Sequence, residues 1–309
     1  MDDSEVLTIN FEQRIACDAN SIFLIDCLGE LDKHSARIRE EGIRDSLLAL
    51  STQDINHDLS RIYLLQCRSR DNWAAAIIEI GDKCKKGLLP LVFIDGHGDA
   101  ENGLAMPNGG FIGWQQYGHD LRAITDAAHG ELTVVAGFCH SFTFVKHAIT
   151  MTDKLPFGFY FGYKDEVRTS IVEDETQIIY ESLINDGGRV LDSRVLQISS
   201  FNEYDHALRL VGPVAFMAIA PRTLTAAMPQ LSKAKFRSAT ERDAARQGNR
   251  LGARRALIKQ VLNDTPRIAE RLIDSCMHDT KRRTCFKEQI LSQMKQAIHE
   301  RQVAAGKVT

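Results

Sequence analysis

The chain has 309 residues, of which 44% are hydrophobic and 26% are charged, and this is the composition of a globular protein with room for about two domains. Its seven prolines are scattered and it has no Gln, Ser or Gly tract, which excludes a fibrous or low-complexity protein. The longest nearly continuous apolar stretch, Val211 to Ala220, is far shorter than the roughly 18 to 20 residues of a membrane span. Because the N-terminus is also acidic, where a secretory signal would be basic, we expect a cytoplasmic protein.

The net charge of −3 conceals two oppositely charged parts. Residues 1–221 contain 19 Lys and Arg against 33 Asp and Glu, a net charge of −14, whereas residues 222–309 contain 19 against 8, a net charge of +11. This asymmetry predicts a boundary near Pro221 between a larger domain, 1–221, and a basic C-terminal region, 222–309. The seven cysteines are odd in number and form no C-x-x-C pair, so neither a disulfide framework nor a zinc ribbon is indicated.

Short apolar runs alternate with segments of helical periodicity in the acidic part of the chain. The predicted strands are 21–27, 61–67, 89–95, 132–138 and 157–163, and the predicted helices are 31–48, 72–86, 118–129, 142–150 and 174–185. A turn sequence, Pro107-Asn108-Gly109-Gly110, predicts a small β-hairpin over 104–114. The alternation indicates an α/β fold in which helices cover both faces of a mostly parallel sheet. In such folds, functional residues collect at the carboxyl ends of the strands.

The basic C-terminal region is predicted to be helical. Asp264-Thr265-Pro266 is typical of a helix start, and an apolar stripe predicts a last helix over 284–303. Aromatic residues that could stack on bases are limited to Phe236 and Phe286, so nucleic-acid binding is disfavoured. We expect the positive charge either to dock these helices on the acidic domain or to bind an activating or inhibitory protein partner.

Two predicted strands end in reactive side chains. The third strand leads into Asp95-Gly96-His97-Gly98-Asp99, and the fourth leads into Gly137-Phe138-Cys139-His140-Ser141. If these strands are neighbours, the thiol and the imidazole lie at the same edge of the sheet, where the thiol could act as a nucleophile and the imidazole as its general base. The glycines beside His97 would let a substrate backbone approach and could offer N–H groups to an oxyanion.

This combination resembles the caspase-like cysteine peptidases, a group that includes caspases, metacaspases, gingipains and CHAT-domain proteases. Gly96-His97-Gly98 is similar to the Gly-His-Gly of metacaspases, and Cys139-His140-Ser141 is similar to their Cys-His-Ser. The two reactive residues are 42 positions apart, close to the roughly 50 between the caspase His and Cys. The segment 157–188 is similar to the one that follows the nucleophile in CHAT-domain proteases, so the resemblance covers about 20–220.

The resemblance implies a caspase-like fold and a cysteine endopeptidase that cleaves a protein or peptide substrate through a Cys-His dyad, without a metal or other cofactor. Cys139 would be the nucleophile and His97 the general acid and base. The backbone N–H groups of Gly98 and Cys139 would bind the oxyanion. Members of the group often act in stress, defence or cell-death pathways.

The substrate preference of known members does not carry over. Gly137 stands where metacaspases have an acidic residue two positions before the cysteine, and the Gln and Gly that flank the caspase nucleophile are missing. Acidic side chains near the predicted edge could instead form a pocket for Lys or Arg. These are Asp95, Asp99, Asp165, Glu166 and Asp174.

Two alternatives stay open. Asp95, His97, Asp99 and Cys139 are all metal-ligand types, but the chain has no H-x-H or H-E-x-x-H element, which disfavours metal catalysis. The second alternative is a catalytically silent, caspase-like scaffold or binding module that acts through its basic C-terminal helices. The presence of both reactive residues favours the peptidase.

Overall fold

A computed structural model describes residues 16–51, 59–148, 154–185, 195–200, 202–219 and 264–304. They belong to two compact units, the first formed by 1–147 and 157–200 and the second by 148–156 and 201–309. The predicted boundary at Pro221 lies outside the described residues, and the packing places the helix before it in the second unit. No helix in the described part of the chain is long and apolar enough to cross a membrane.

The first unit contains a six-stranded sheet and a three-stranded sheet. Their strands are β1 Ser21–Asp26, β2 Ile62–Gln66, β3 Pro90–Asp95, β4 His97–Asp99, β5 Gly103–Ala105, β6 Phe111–Ile112, β7 Thr133–Gly137, β8 Phe159–Gly162 and β9 Gln197–Ser200. The large sheet has the order β2-β1-β3-β7-β8-β9, and all of its pairs are parallel except β8 with β9. The predicted α/β fold with a mostly parallel sheet is therefore confirmed.

The helices of the first unit lie between these strands in the chain. They are α1 Ser35–Ser51, α2 Arg70–Cys84, α3 Trp114–Ala127, α4 Thr143–Ala148 and α5 Thr169–Asn185, with a short 3-10 helix at Leu59–Arg61. Each overlaps a predicted helix, although α3 and α5 begin four and five residues before the predicted starts.

Helices cover both faces of the large sheet. On one face, Phe93 of β3 packs in one cluster with Ile43 of α1 and Ile179 of α5. On the other face, the hydroxyl groups of Tyr160 in β8 and Tyr117 in α3 lie 3.2 Å apart. Successive side chains of a strand point to opposite faces, so the near-continuous burial of β3 and β7 follows from this double cover.

The small sheet contains the predicted hairpin and one unexpected strand. β5 and β6 pair antiparallel, and the turn between them uses Gly109 and Gly110 at φ values of 96° and 85°, which glycine adopts without strain. β4 was not predicted. It has only three residues, His-Gly-Asp, and is preceded by a further glycine, so it shows no alternation of apolar and polar side chains. It sets His97 opposite Ala105 of β5, so the imidazole belongs to a paired strand.

The second unit has its own core. Its helices are α6 Glu203–Ile219, α7 Thr265–Cys276 and α8 Thr280–Ala304, and they pack through a shared apolar cluster that includes Val211, Ile273 and Met294. Asp264 caps α7 by accepting a hydrogen bond from the Arg267 N–H at 3.4 Å. Several basic side chains of these helices pair with acids of the same unit, so part of the positive charge is balanced locally.

Candidate active site

Four loops meet at the carboxyl edge of the large sheet, because the strands that precede them lie side by side in the order β1, β3, β7 and β8. Asp95, the last residue of β3, is in register with Gly137, the last residue of β7. His97 and Cys139 each follow two positions later. The topology therefore puts positions 97 and 139 just beyond the ends of two neighbouring strands.

Gly98 brings the two main chains into direct contact. A β-carbon at this position would lie 1.9 Å from the carbonyl oxygen of Cys139 and 2.6 Å from Cδ2 of Phe138. Both distances are well below van der Waals contact, so only glycine fits here. The absence of a side chain at Gly98 therefore allows the strand that carries His97 to lie against the peptide of Cys139.

The Cys139 thiol is half-buried and is held by the loop after β8. Its Sγ accepts a hydrogen bond from the N–H of Val167 at 3.3 Å and donates one to the Val167 carbonyl at 3.6 Å. The same loop contacts the next residue, because the N–H of His140 donates to the Asp165 carbonyl at 3.3 Å. Residues 163–168 therefore border the thiol on the β8 side of the site.

His140 adopts a left-handed backbone conformation with φ of 59°, which is uncommon for a residue other than glycine. Its Nδ1 lies 3.3 Å from the carbonyl oxygen of Lys164. The sharp turn leaves the N–H of Cys139 without an acceptor among the residues that the structure describes. This N–H is one of the two predicted oxyanion donors. The other, at Gly98, belongs to the strand paired with β5 opposite Leu104.

An acidic residue that the sequence analysis missed contacts His97. The Nε2 atom of His97 lies 3.1 Å from Oδ1 of Asp32, and the side chains are 66% and 33% exposed. The backbone N–H of Gly29 donates to the other carboxylate oxygen of Asp32 at 2.7 Å. These two contacts hold the pKa of Asp32 below its usual value, the Gly29 N–H having the larger effect. Asp32 lies in the loop after β1, and β1 pairs with β3. The sequence alone does not show that these two strands are neighbours, so it does not place Asp32 near His97.

Asp95 does not line an open pocket, and this prediction was wrong. Its side chain is 2% exposed and forms an ion pair with Arg39. Burial raises the pKa of Asp95, while the Arg39 guanidinium opposes that shift. Arg39 also donates to the hydroxyl of Thr176 at 2.9 Å. The ion pair therefore links β3 to α1 and α5 beneath the site. The negative charge of Asp95 is neutralised by Arg39 in the protein interior.

The other predicted acidic residues lie at the surface. Asp165 and Glu166 are exposed on the loop that holds the Cys139 thiol. Asp174 is exposed on α5, outside that loop. Asp99 accepts hydrogen bonds from the N–H groups of Asn102 and Glu101, which lower its pKa. Of the predicted specificity residues, Asp165 and Glu166 are thus the ones on a segment that contacts the Cys139 thiol.

The four side chains of metal-ligand type, Asp95, His97, Asp99 and Cys139, were not predicted to bind a metal. Within the part of the chain that is described, no three His, Cys, Asp or Glu side chains are arranged as a metal site. Asp95 forms an ion pair with Arg39, and His97 contacts Asp32.

Ser141 fixes the main chain after Cys139. Its side chain is buried, donates to the Ala136 carbonyl at 3.1 Å and accepts from the Tyr163 N–H at 2.9 Å.

We expect Ser141→Ala to lower the free energy of unfolding by about 1 to 3 kcal/mol, because the buried N–H of Tyr163 loses its acceptor. Urea denaturation measures this loss. An unchanged midpoint would show that the hydroxyl does not support the turn.

No protein-family model matches the chain, and no match was found among the curated proteins.

Proposed function

We propose that the protein is a cysteine endopeptidase, with Cys139 as the nucleophile and His97 as the general acid and base. The observation that carries the proposal is the contact at Gly98, which brings the strand of His97 against the peptide of Cys139. The similarity of Gly96-His97-Gly98 and Cys139-His140-Ser141 to the motifs of caspase-like peptidases supports the same assignment. The biological setting, such as a stress, defence or cell-death pathway, belongs to that resemblance.

The reaction follows from the chemistry of these groups. His97 takes the proton of the thiol, and Sγ of Cys139 attacks the carbonyl carbon of the substrate to form a C–S bond. The negative oxygen of the tetrahedral intermediate accepts from the free N–H of Cys139 and, in our proposal, from the N–H of Gly98. His97 then gives its proton to the leaving amine as the C–N bond breaks. Water, deprotonated by His97, hydrolyses the thioester and regenerates the thiol.

The surroundings of the two residues suggest how a substrate lies. On the β1 side, Leu31 is a fully exposed apolar side chain next to Asp32. On the β8 side, Asp165 and Glu166 are exposed beside the thiol. A peptide that crosses this edge of the sheet would meet an apolar side chain at one end and carboxylates at the other. This arrangement favours a substrate with a Lys or Arg side chain near the scissile bond.

The first test is hydrolysis of a mixed peptide library, with the cleaved bonds identified by mass spectrometry. We expect the wild-type protein to cleave, and Cys139→Ala and His97→Ala each to lose at least about a hundredfold in rate. Cys285→Ala is the matched control, because Cys285 is an exposed thiol in α8 of the second unit. Equal cleavage by the wild type and both site variants would contradict the proposal.

The alternative of a catalytically silent binding module is favoured by the exposed basic side chains of α7 and α8, which include Arg267, Arg271, Lys281 and Lys295. It predicts no cleavage by any of these proteins. It also predicts that iodoacetamide labels Cys139 no faster than Cys285. Preferential labelling of Cys139 would instead indicate a reactive thiol and favour the peptidase.

A further inference from the structure

We propose that Asp32 is a positioning residue that fixes the orientation and the tautomer of His97. The inference rests on the proposed peptidase function for its catalytic consequence, but its structural part concerns only the imidazole and the carboxylate. The observation behind it is the 3.1 Å contact between His97 Nε2 and Asp32 Oδ1, which joins the loop after β1 to the start of β4.

The carboxylate is fixed by its own loop. Oδ2 of Asp32 accepts from the Gly29 N–H at 2.7 Å, and the Asp32 N–H donates back to the Gly29 carbonyl at 3.2 Å. The loop is anchored where it leaves β1, because the N–H of Leu28 donates to Oδ1 of Asp26 at 3.0 Å. With Oδ2 held in this way, Oδ1 is directed at His97.

The contact determines which nitrogen of the neutral ring carries the proton. An ionised carboxylate can only accept, and the lowered pKa of Asp32 keeps it ionised at neutral pH. Nε2 must therefore be the protonated nitrogen, which leaves Nδ1 unprotonated as the basic atom. When Nδ1 takes a proton from the thiol, the carboxylate stabilises the imidazolium without accepting the proton itself.

Asp32→Asn tests this directly. The N–H of Gly29 requires an oxygen acceptor, so the amide oxygen of the new side chain takes the place of Oδ2 and its NH₂ group faces Nε2. That group donates and forces the proton of His97 to Nδ1, the wrong tautomer for a base at that atom. Glu30→Gln is the matched control, because it makes the same charge change at an exposed residue of the same loop.

The structural readout is ¹⁵N NMR of the His97 ring in the full-length protein. We expect the wild type and Glu30→Gln to show the Nε2–H tautomer. Asp32→Asn should show the Nδ1–H tautomer, because the NH₂ group of the new side chain donates to Nε2. An unchanged tautomer in Asp32→Asn would overturn the proposal, whether or not the protein cleaves peptides.

The catalytic readout is the separate effect of each variant on kcat and on KM for peptide cleavage. We expect Asp32→Asn to lower kcat at least about a hundredfold with little change in KM. Glu30→Gln should keep the wild-type kcat and KM. A changed tautomer with full kcat would refute the positioning role. If the wild type cleaves nothing, the proposed function fails on that result, while the NMR measurement still decides the role of Asp32.

Discussion

Gly98→Ala is expected to abolish cleavage of peptides by the protein. The added β-carbon would lie 1.9 Å from the carbonyl oxygen of Cys139, and the obstructing atom belongs to the backbone, so it cannot move aside by a change of rotamer. The strand that carries His97 must therefore separate from the Cys139 turn. We also expect the free energy of unfolding to fall by about 1 to 3 kcal/mol, the usual effect of overpacking.

The measurements are peptide hydrolysis, the rate of alkylation of Cys139 and urea denaturation. Gly81→Ala provides the control, because a β-carbon at this position of α2 meets no atom within 4 Å. It should retain full activity and gain up to about 1 kcal/mol of stability from the helix propensity of alanine. Full activity in Gly98→Ala would show that the contact between the two main chains is not required.

Arg39→Met is expected to cause the largest loss of stability in the first unit, about 3 to 5 kcal/mol at neutral pH. The substitution leaves the Asp95 carboxylate buried without its cation. Arg37→Met is the matched control on the same helix, since the Arg37–Glu41 pair is 75% and 68% exposed. Removing that exposed pair should change the free energy of unfolding by less than about 1 kcal/mol.

The loss should depend on pH. Burial raises the native pKa of Asp95, and Arg39 opposes this shift, so removal of Arg39 raises the native pKa further. A group whose pKa is higher in the native state favours folding at low pH, and this contribution disappears as the pH rises through the native pKa. The penalty of Arg39→Met should therefore be larger at pH 7 than at pH 4.5 in urea denaturation. An equal penalty at both values would mean that Asp95 stays ionised in the variant.

The sequence was sufficient to predict the central strands. Strands such as β3 and β7 are continuous apolar runs, because both of their faces are covered, and such runs are easy to recognise. β9 lacks that signal, since its four residues are largely exposed at the edge of the sheet. His97 and Cys139 became the candidate site residues because each lies two positions beyond the end of a buried strand.

The parts of the site that the sequence analysis missed depend on the order of the strands in space. Asp32 contacts His97 because β1 is the neighbour of β3, which no local pattern expresses. The error at Asp95 has the same origin. A carboxylate at a strand end was expected to face the substrate, but its environment is set by Arg39 of α1 and Thr176 of α5, which pack on the sheet from distant parts of the chain.

The thiol of Cys139 touches Val167, and the imidazole of His97 touches Asp32. Asp32 and Val167 are 135 positions apart in the chain. The His97–Asp32 contact spans 65 positions and the Cys139–Val167 contact spans 28, and the ribosome delivers the chain from its N-terminus at about 5 to 20 residues per second. A nascent chain therefore cannot assemble this site until the loop after β8 has left the ribosome. For the peptidase that we propose, this order of synthesis would withhold hydrolytic activity from the vicinity of the translation machinery until the first unit is nearly complete.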